Sequence, residues 1–248
     1  MRSKRAGRER GENGPWVDAA GALANADGGI RARLLAGETA NFSDRELLEA
    51  LLAFGSGQKA KARRQAKTLI ERFGTLGDVI AEDTELLLET RNVDEEIVLL
   101  FRLVQSIAVQ LTRNRVRQRH AISSTDALID YCRVALSRLR VERFLVLFLN
   151  SKNMLIGETR IEGTVDHAPV YPREIVKRAL ALNASSVILV HNHPSGDPTP
   201  SLADIHMTEK ISSIGALLGV RVLDHLVMGR SGHVSFREQG LLGRQAAE

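Results

Sequence analysis

An apolar run that ends in paired histidines constrains this chain more than any other stretch. Ser185 to Val190 is followed by His191-Asn192-His193, within SSVILVHNHPSGDPTPSLAD. A run rich in Val, Ile and Leu, closed by polar residues and Pro-Ser-Gly, reads as a short strand buried on both faces. Residues i and i+2 on extended backbone share a side, so both imidazoles face one point in space. Pro194, Gly196, Pro198 and Pro200 disfavour regular structure and turn the chain sharply, and the helical pattern that follows brings Asp204 back. Two neutral imidazole nitrogens and one carboxylate oxygen form the three-ligand shell of a catalytic zinc, with a fourth position left for water.

The same residues have plainer uses. Paired histidines at a strand end also serve as polar surface. The S-x-x-D of Ser201 to Asp204 is close to a capping box, with Ser201 as N-cap and Asp204 near the third helical position. Capping and ligation are compatible, because a cap also fixes where the carboxylate points. The letters HNH do not indicate an HNH nuclease, whose named residues are spread through a hairpin and a helix.

The run H-N-H-P-S-G-D-P-T-P-S-x-x-D resembles the signature of RadC-like proteins, a bacterial branch of the JAMM (MPN+) metalloprotease superfamily. The superfamily pattern is H-x-H, seven residues, then S-x-x-D, and His191, His193, Ser201 and Asp204 meet it without a gap. Further matches are Glu142 to Asn150, Glu162 to Thr164, Pro172 to Glu174, Leu223 to His225, and S-F-R-E-Q-G-L-L from Ser235, so the resemblance spans roughly residues 119 to 244. It implies zinc held by His191, His193 and Asp204, and an upstream glutamate acting as general base. That base is assigned to Glu142, just before the apolar run Phe144 to Leu149; Glu158 and Glu162 on the next strand are its rivals. Ser201 would help stabilise the oxyanion, and the implied reaction is hydrolysis of a peptide or isopeptide amide in a protein or peptide substrate. Zinc lowers the pKa of its bound water to about 7, and it suits an N,N,O ligand set better than iron or manganese.

Composition sets bounds. With 248 residues, 44% apolar and 26% charged, the chain can bury a core and is expected to hold two domains. No apolar run approaches the about eighteen residues of a membrane span. The basic start, MRSKRAGRERGENG, lacks the apolar segment of a secretory signal. The single cysteine, Cys132, excludes an intrachain disulfide framework and suits a small buried apolar residue. A cytoplasmic protein is the expectation.

The expected organisation is a disordered tail over residues 1–28 with Trp16 as its one large anchor, a helical domain over 29–118, and an α/β domain over 119–248. Helices are expected at Arg31 to Leu35, after the Ser43 cap to Leu52, and over Lys59 to Phe73, Thr75 to Ile80, Glu82 to Thr90 and Glu95 to Leu111. This all-α stretch resembles the N-terminal domain of RadC-like proteins, which is similar to helix-hairpin-helix DNA-binding units. Such hairpins use a Gly-x-Gly turn close to phosphate; here Arg91 to Glu96 has no glycine and three acids. Gly55 and Gly57, followed by Lys59, Lys61, Arg63, Arg64 and Lys67, offer either a DNA-phosphate contact or a solvated helix face. Arg113, Arg115, Arg117 and Arg119 are read as an extended linker at the domain junction with the arginines on one side, or simply as a soluble connector.

In the α/β domain, the fold class is a mixed-sheet sandwich with flanking helices. Its elements are a helix Ser124 to Ser137, strands Phe144 to Asn150 and Met154 to Val165, a helix Arg173 to Leu182, the histidine strand, a helix Leu202 to Leu218 closed by Gly219, and strands Arg221 to Met228 and His233 to Phe236. Asp224 and His225 read as a structural or metal-supporting pair, and His206 as solvent-facing. Three functions are weighed: a JAMM-type zinc amidohydrolase, a DNA-associated accessory protein, and a nucleic-acid hydrolase, since activated water attacks phosphate as well as carbonyl groups.

Overall fold

A computed structural model describes residues 30–37, 42–117, 125–163, 170–230 and 232–242. The expectations for the tail with Trp16, for Arg119, and for the strand beyond Gly163 fall outside these residues. The chain divides into two compact units, Met1–Arg72 and Phe73–Glu248.

The first unit is helical: α1 (Ile30–Leu35), α2 (Asp44–Ser56) and α3 (Lys59–Phe73). Ser43 and Glu46 form the expected reciprocal capping box at the start of α2. Gly57 ends that helix at φ 68°, and its N–H donates to the Ala53 carbonyl. The left-handed conformation costs glycine nothing. Leu48 and Leu52 of α2 and Ala62, Ala66 and Leu69 of α3 recur at helical spacing, and all are buried. Arg33 of α1 pairs with Glu46 at 3.3 Å.

The second unit opens with α4 (Leu76–Ala81), α5 (Thr84–Leu88), α6 (Glu95–Arg117) and α7 (Thr125–Leu136). There follow β1 (Arg143–Leu149), β2 (Leu155–Glu162), α8 (Pro172–Ala181), β3 (Ser186–Asn192), α9 (Leu202–Leu217), β4 (Arg221–Met228) and β5 (His233–Ser235). The sheet order is β2-β1-β3-β4-β5, parallel only between β3 and β4 and antiparallel elsewhere. It is the expected mixed sheet between helical layers.

Alternation explains both layers. Phe144, Val146 and Phe148 of β1 join Val187 and Leu189 of β3 against Ile175 and Ala179 of α8 and Ile211 of α9. Leu145, Leu147 and Leu149 point the other way with Ile188 and Val190, against Leu128, Tyr131 and Cys132 of α7. A strand apolar at every position has to be covered on both faces. Cys132 is fully buried, and burial pushes its thiol pKa up, so it packs as an apolar residue.

One sequence expectation needs correction. Arg113, Arg115 and Arg117 lie on α6, which runs to Arg117 rather than giving way to a linker. Alternate positions on a helix diverge in direction: Arg113 meets Glu158 and Arg115 meets Asp130. By their contacts, the helices from Leu76 to Arg117 group with the second unit. There α6 packs on α7, Arg138 pairs with Asp78, and Arg140 makes a forked pair with Glu82. Periodicity marks helices; it does not say where they dock. Among the described residues, no helix is long and apolar enough to cross a membrane.

Candidate metal centre

His191 stands near the end of β3, and the β3–β4 ladder continues past it, with the His193 N–H donating to the Met228 carbonyl at 3.0 Å. The pleat therefore turns both imidazoles to the α8/α9 side. The chain reverses at Gly196, φ 89°, and reaches Ser201, the N-cap of α9. Asp204 is the third residue of that helix. Its Oδ2 accepts from the Ser201 N–H at 2.7 Å and the Ser201 hydroxyl at 2.6 Å, while its own N–H donates to Ser201 Oγ at 3.1 Å. The capping box is real, and it fixes the carboxylate with Oδ1 toward His191 and Oδ2 toward His193. His191 Nε2 lies 3.3 Å from Asp204 Oδ1, His193 Nε2 lies 3.5 Å from Oδ2, and the two Nε2 atoms are 3.0 Å apart. These three residues are a group able to hold a metal ion.

Hydrogen-bond partners settle which ring nitrogens carry protons. His193 Nδ1 lies 2.8 Å from the Asp197 carbonyl; a carbonyl only accepts, so Nδ1 is protonated and Nε2 is bare. On the other side, the Thr208 hydroxyl donates to the Asp204 carbonyl at 2.6 Å. Its one hydrogen is then used, so His225 Nδ1, 2.7 Å away, must donate to it. His225 Nε2 is left to accept from His191 Nδ1 at 2.8 Å, and His191 Nε2 is bare as well. Two lone pairs facing each other at 3.0 Å repel unless a proton or a cation lies between them. The donor set fits zinc, and each histidine has the outer partner that metal-bound imidazoles use.

Without a cation, a proton fills that gap. A hydrogen bond to Asp204 favours the protonated ring and raises the pKa of His193. Burial alone would push the Asp204 carboxyl up, but hydrogen bonds from the histidine rings in that form and from Ser201 hold it far below the usual carboxylate range. Burial drives His225 well below the ordinary histidine value, which keeps it neutral and able to accept the His191 proton.

Glu142 is half-buried immediately before β1, and its carbonyl accepts from Gly163 N–H at 3.0 Å. It stands two residues before Phe144, which pairs with His191 and faces the α8/α9 side, so strand alternation puts it on the histidine side of the sheet. The rivals lie elsewhere. Glu158 is on the opposite face, held by Tyr131 Oη at 2.9 Å, Arg113 at 3.1 Å and Arg160 at 3.2 Å. Glu162 is 76% exposed and paired with Arg143. Ser201, by contrast, already spends its hydroxyl hydrogen on Asp204, so serving an oxyanion requires that bond to open.

Sequence reasoning missed two residues. Asn192, between the histidines and fully buried, accepts from Arg143 N–H at 2.9 Å and donates to the Leu139 and Val141 carbonyls at 3.3 and 3.0 Å. Those three bonds bracket Glu142. The signal was the polar residue inside a buried strand, which needs partners on the face opposite the histidines. Thr208 was also legible, lying one helical turn beyond Asp204. Asp224 and His225, read as a pair, serve opposite sides: Asp224 accepts from Ser235 Oγ at 2.7 Å and Arg237 N–H at 3.0 Å, whereas His225 faces the metal ligands. His206 is exposed, as expected.

Residues 122–241 match the family described as the RadC-like JAB domain. A UPF0758 protein of Rhodobacter capsulatus is 48% identical over 214 residues, which cover 86% of this chain and 100% of that protein. The UPF0758 protein SPO0054 of Ruegeria pomeroyi is 45% identical over 214 residues, covering 86% of this chain and 95% of that protein. The match falls on the unit that carries the histidines, and this chain belongs to the RadC-like family of the JAB/MPN superfamily.

Proposed function

We propose that this protein is a zinc-dependent hydrolase of the JAMM type, cleaving a peptide or isopeptide bond in a protein or peptide substrate. The observation that carries this reading is the pair of bare imidazole nitrogens 3.0 Å apart beside Asp204, with both tautomers dictated by outer partners. His191, His193 and Asp204 would hold the ion. Zinc, when bound, supplies a Lewis acid and a water acidic enough to ionise near neutral pH. Glu142, on the same side as His193, takes a proton during attack and delivers it to the leaving amine. Asn192 holds the segment that carries it. Ser201 supports the developing oxyanion once its hydroxyl turns from Asp204.

Metal analysis of the untagged protein, followed by a screen of peptide and isopeptide conjugates, tests this. About one zinc per chain, cleavage lost in Glu142→Gln with zinc retained, and both lost in His193→Ala are the expected results. A native protein that takes up no metal when zinc is offered near neutral pH would defeat the reading.

A second reading concerns DNA. Helices α2 and α3 meet at Gly57, and α3 exposes Lys59, Arg63, Arg64 and Lys67. Against it, Asp94 caps α6 by accepting from Ile97 N–H at 3.1 Å, and Asn92 takes the left-handed turn, φ 64°, where such hairpins use glycine. DNA affinity that falls with salt and survives chelation supports this reading; none at low salt removes it.

A further inference from the structure

On the sheet face opposite the histidines, the second unit holds a cavity of about 800 Å3, open to solvent, in the size range of small-ligand sites. Arg102, Arg113, Arg140, Arg143 and Arg160 line it, against the carboxylates Glu82, Asp83 and Glu158. The acids are already engaged. Glu82 is held in a fork by Arg140. Glu158 takes Arg113 and Arg160 at 3.1 and 3.2 Å. Asp83 caps α5 by accepting from Glu85 N–H at 2.8 Å.

Two guanidinium groups carry charge that the acids lining the cavity do not neutralise. Arg102 donates to neutral oxygens only: the Ile80 and Glu82 carbonyls, Thr84 Oγ1 and Gln105 Oε1. Arg143 reaches only Glu162, itself 76% exposed, and its buried Nε–H has no hydrogen-bond partner. The wall from α6 is mostly polar as well, with Gln105, Ser106 and Gln110 at helical spacing from Arg102 and Val109 its one apolar residue. A helix covering a sheet would ordinarily present apolar residues there. Guanidinium groups in excess, with neutral donors beside them, match the oxygens of a phosphate group.

We propose that this cavity binds a small phosphate-bearing anion, an oligophosphate or a nucleotide, at a site separate from the metal centre. Arg143 and Glu142 are consecutive yet serve opposite faces, so the ligand would sit behind the segment that Asn192 ties to the histidine strand. The reading does not depend on zinc.

Calorimetric titration of the full chain, dialysed against chelator and held in phosphate-free buffer, tests it with inorganic pyrophosphate and, separately, ADP. Saturable binding of either probe is expected, weakened about tenfold or more by Arg102→Gln and by Arg143→Gln, and unchanged by the surface control Lys177→Gln. Equal affinities would assign recognition to phosphate alone; tighter ADP would add the nucleoside. Arg143→Gln keeps the main-chain bond to Asn192, so it is informative even if Arg102→Gln misfolds. No saturable binding of either probe up to about 1 mM, or undiminished binding in a folded Arg143→Gln, overturns the proposal.

Discussion

His191 binds nothing correctly unless its Nδ1 holds the proton, and His225 is what holds it there. Replacing His225 with Phe leaves that N–H without an acceptor, so His225→Phe is expected to weaken zinc affinity about 10- to 100-fold. His225→Gln, which returns an acceptor, should recover part of the loss; competition with a chelating dye measures both. If the two variants bind alike, the hydrogen bond is not what matters. Asn192 acts on the other side of the strand. Asn192→Ala should keep about one zinc per chain while lowering the urea-unfolding free energy by about 1–3 kcal/mol, because buried main-chain groups lose their partner. At this scale the ligands were legible, because His191, His193, Ser201 and Asp204 follow local spacing. The outer partners come from β4 and from the segment before β1, far away in sequence.

Elements hold the ligands through close packing. A Cβ on Gly229, just after β4, would come within 2.8 Å of Pro198 Cδ and crowd the Gly196 carbonyl. That loop supplies the Asp197 carbonyl to His193, so Gly229→Ala should move the acceptor and weaken zinc binding; unaltered metal affinity in this variant would refute the packing argument. At α4, Asp78 completes the cap with Thr75 and pairs with Arg138. Burial opposes ionisation of Asp78, yet bonds from Thr75 and Arg138 hold its pKa below the ordinary value of 3.8. A depressed folded value means stability that is present above the unfolded pKa and lost as pH falls through the folded one. Asp78→Asn should therefore cost about 1 kcal/mol at neutral pH, and the gap to native should close in acid; a gap independent of pH in urea melts contradicts this. Element types were readable from period and caps. The length of α6 was not, since its last turns are held by Val116 in the core and by contacts of Arg113 and Arg115 with Glu158 and Asp130, all set by docking.

In the whole molecule, metal binding and unit stability are linked. Zinc at about 100 times its Kd adds about 2.7 kcal/mol to the unit that binds it. Amide exchange should slow across β1, β3 and β4 on adding zinc, and stay unchanged in α2 and α3; equal slowing in both units would show the metal acting elsewhere. The sequence alone determined the α/β class, the resemblance that led to the family, and three ligands within fourteen residues of one another, because strand and helix periods and cap spacing are local. Only the tertiary structure decided that α4 to α6 join the sheet unit, that Glu158 faces away from the histidines, and that arginines from α6, the α7–β1 segment, β1 and β2 surround one cavity. Those outcomes depend on docking, register and ion pairing between distant segments, and no local period carries them.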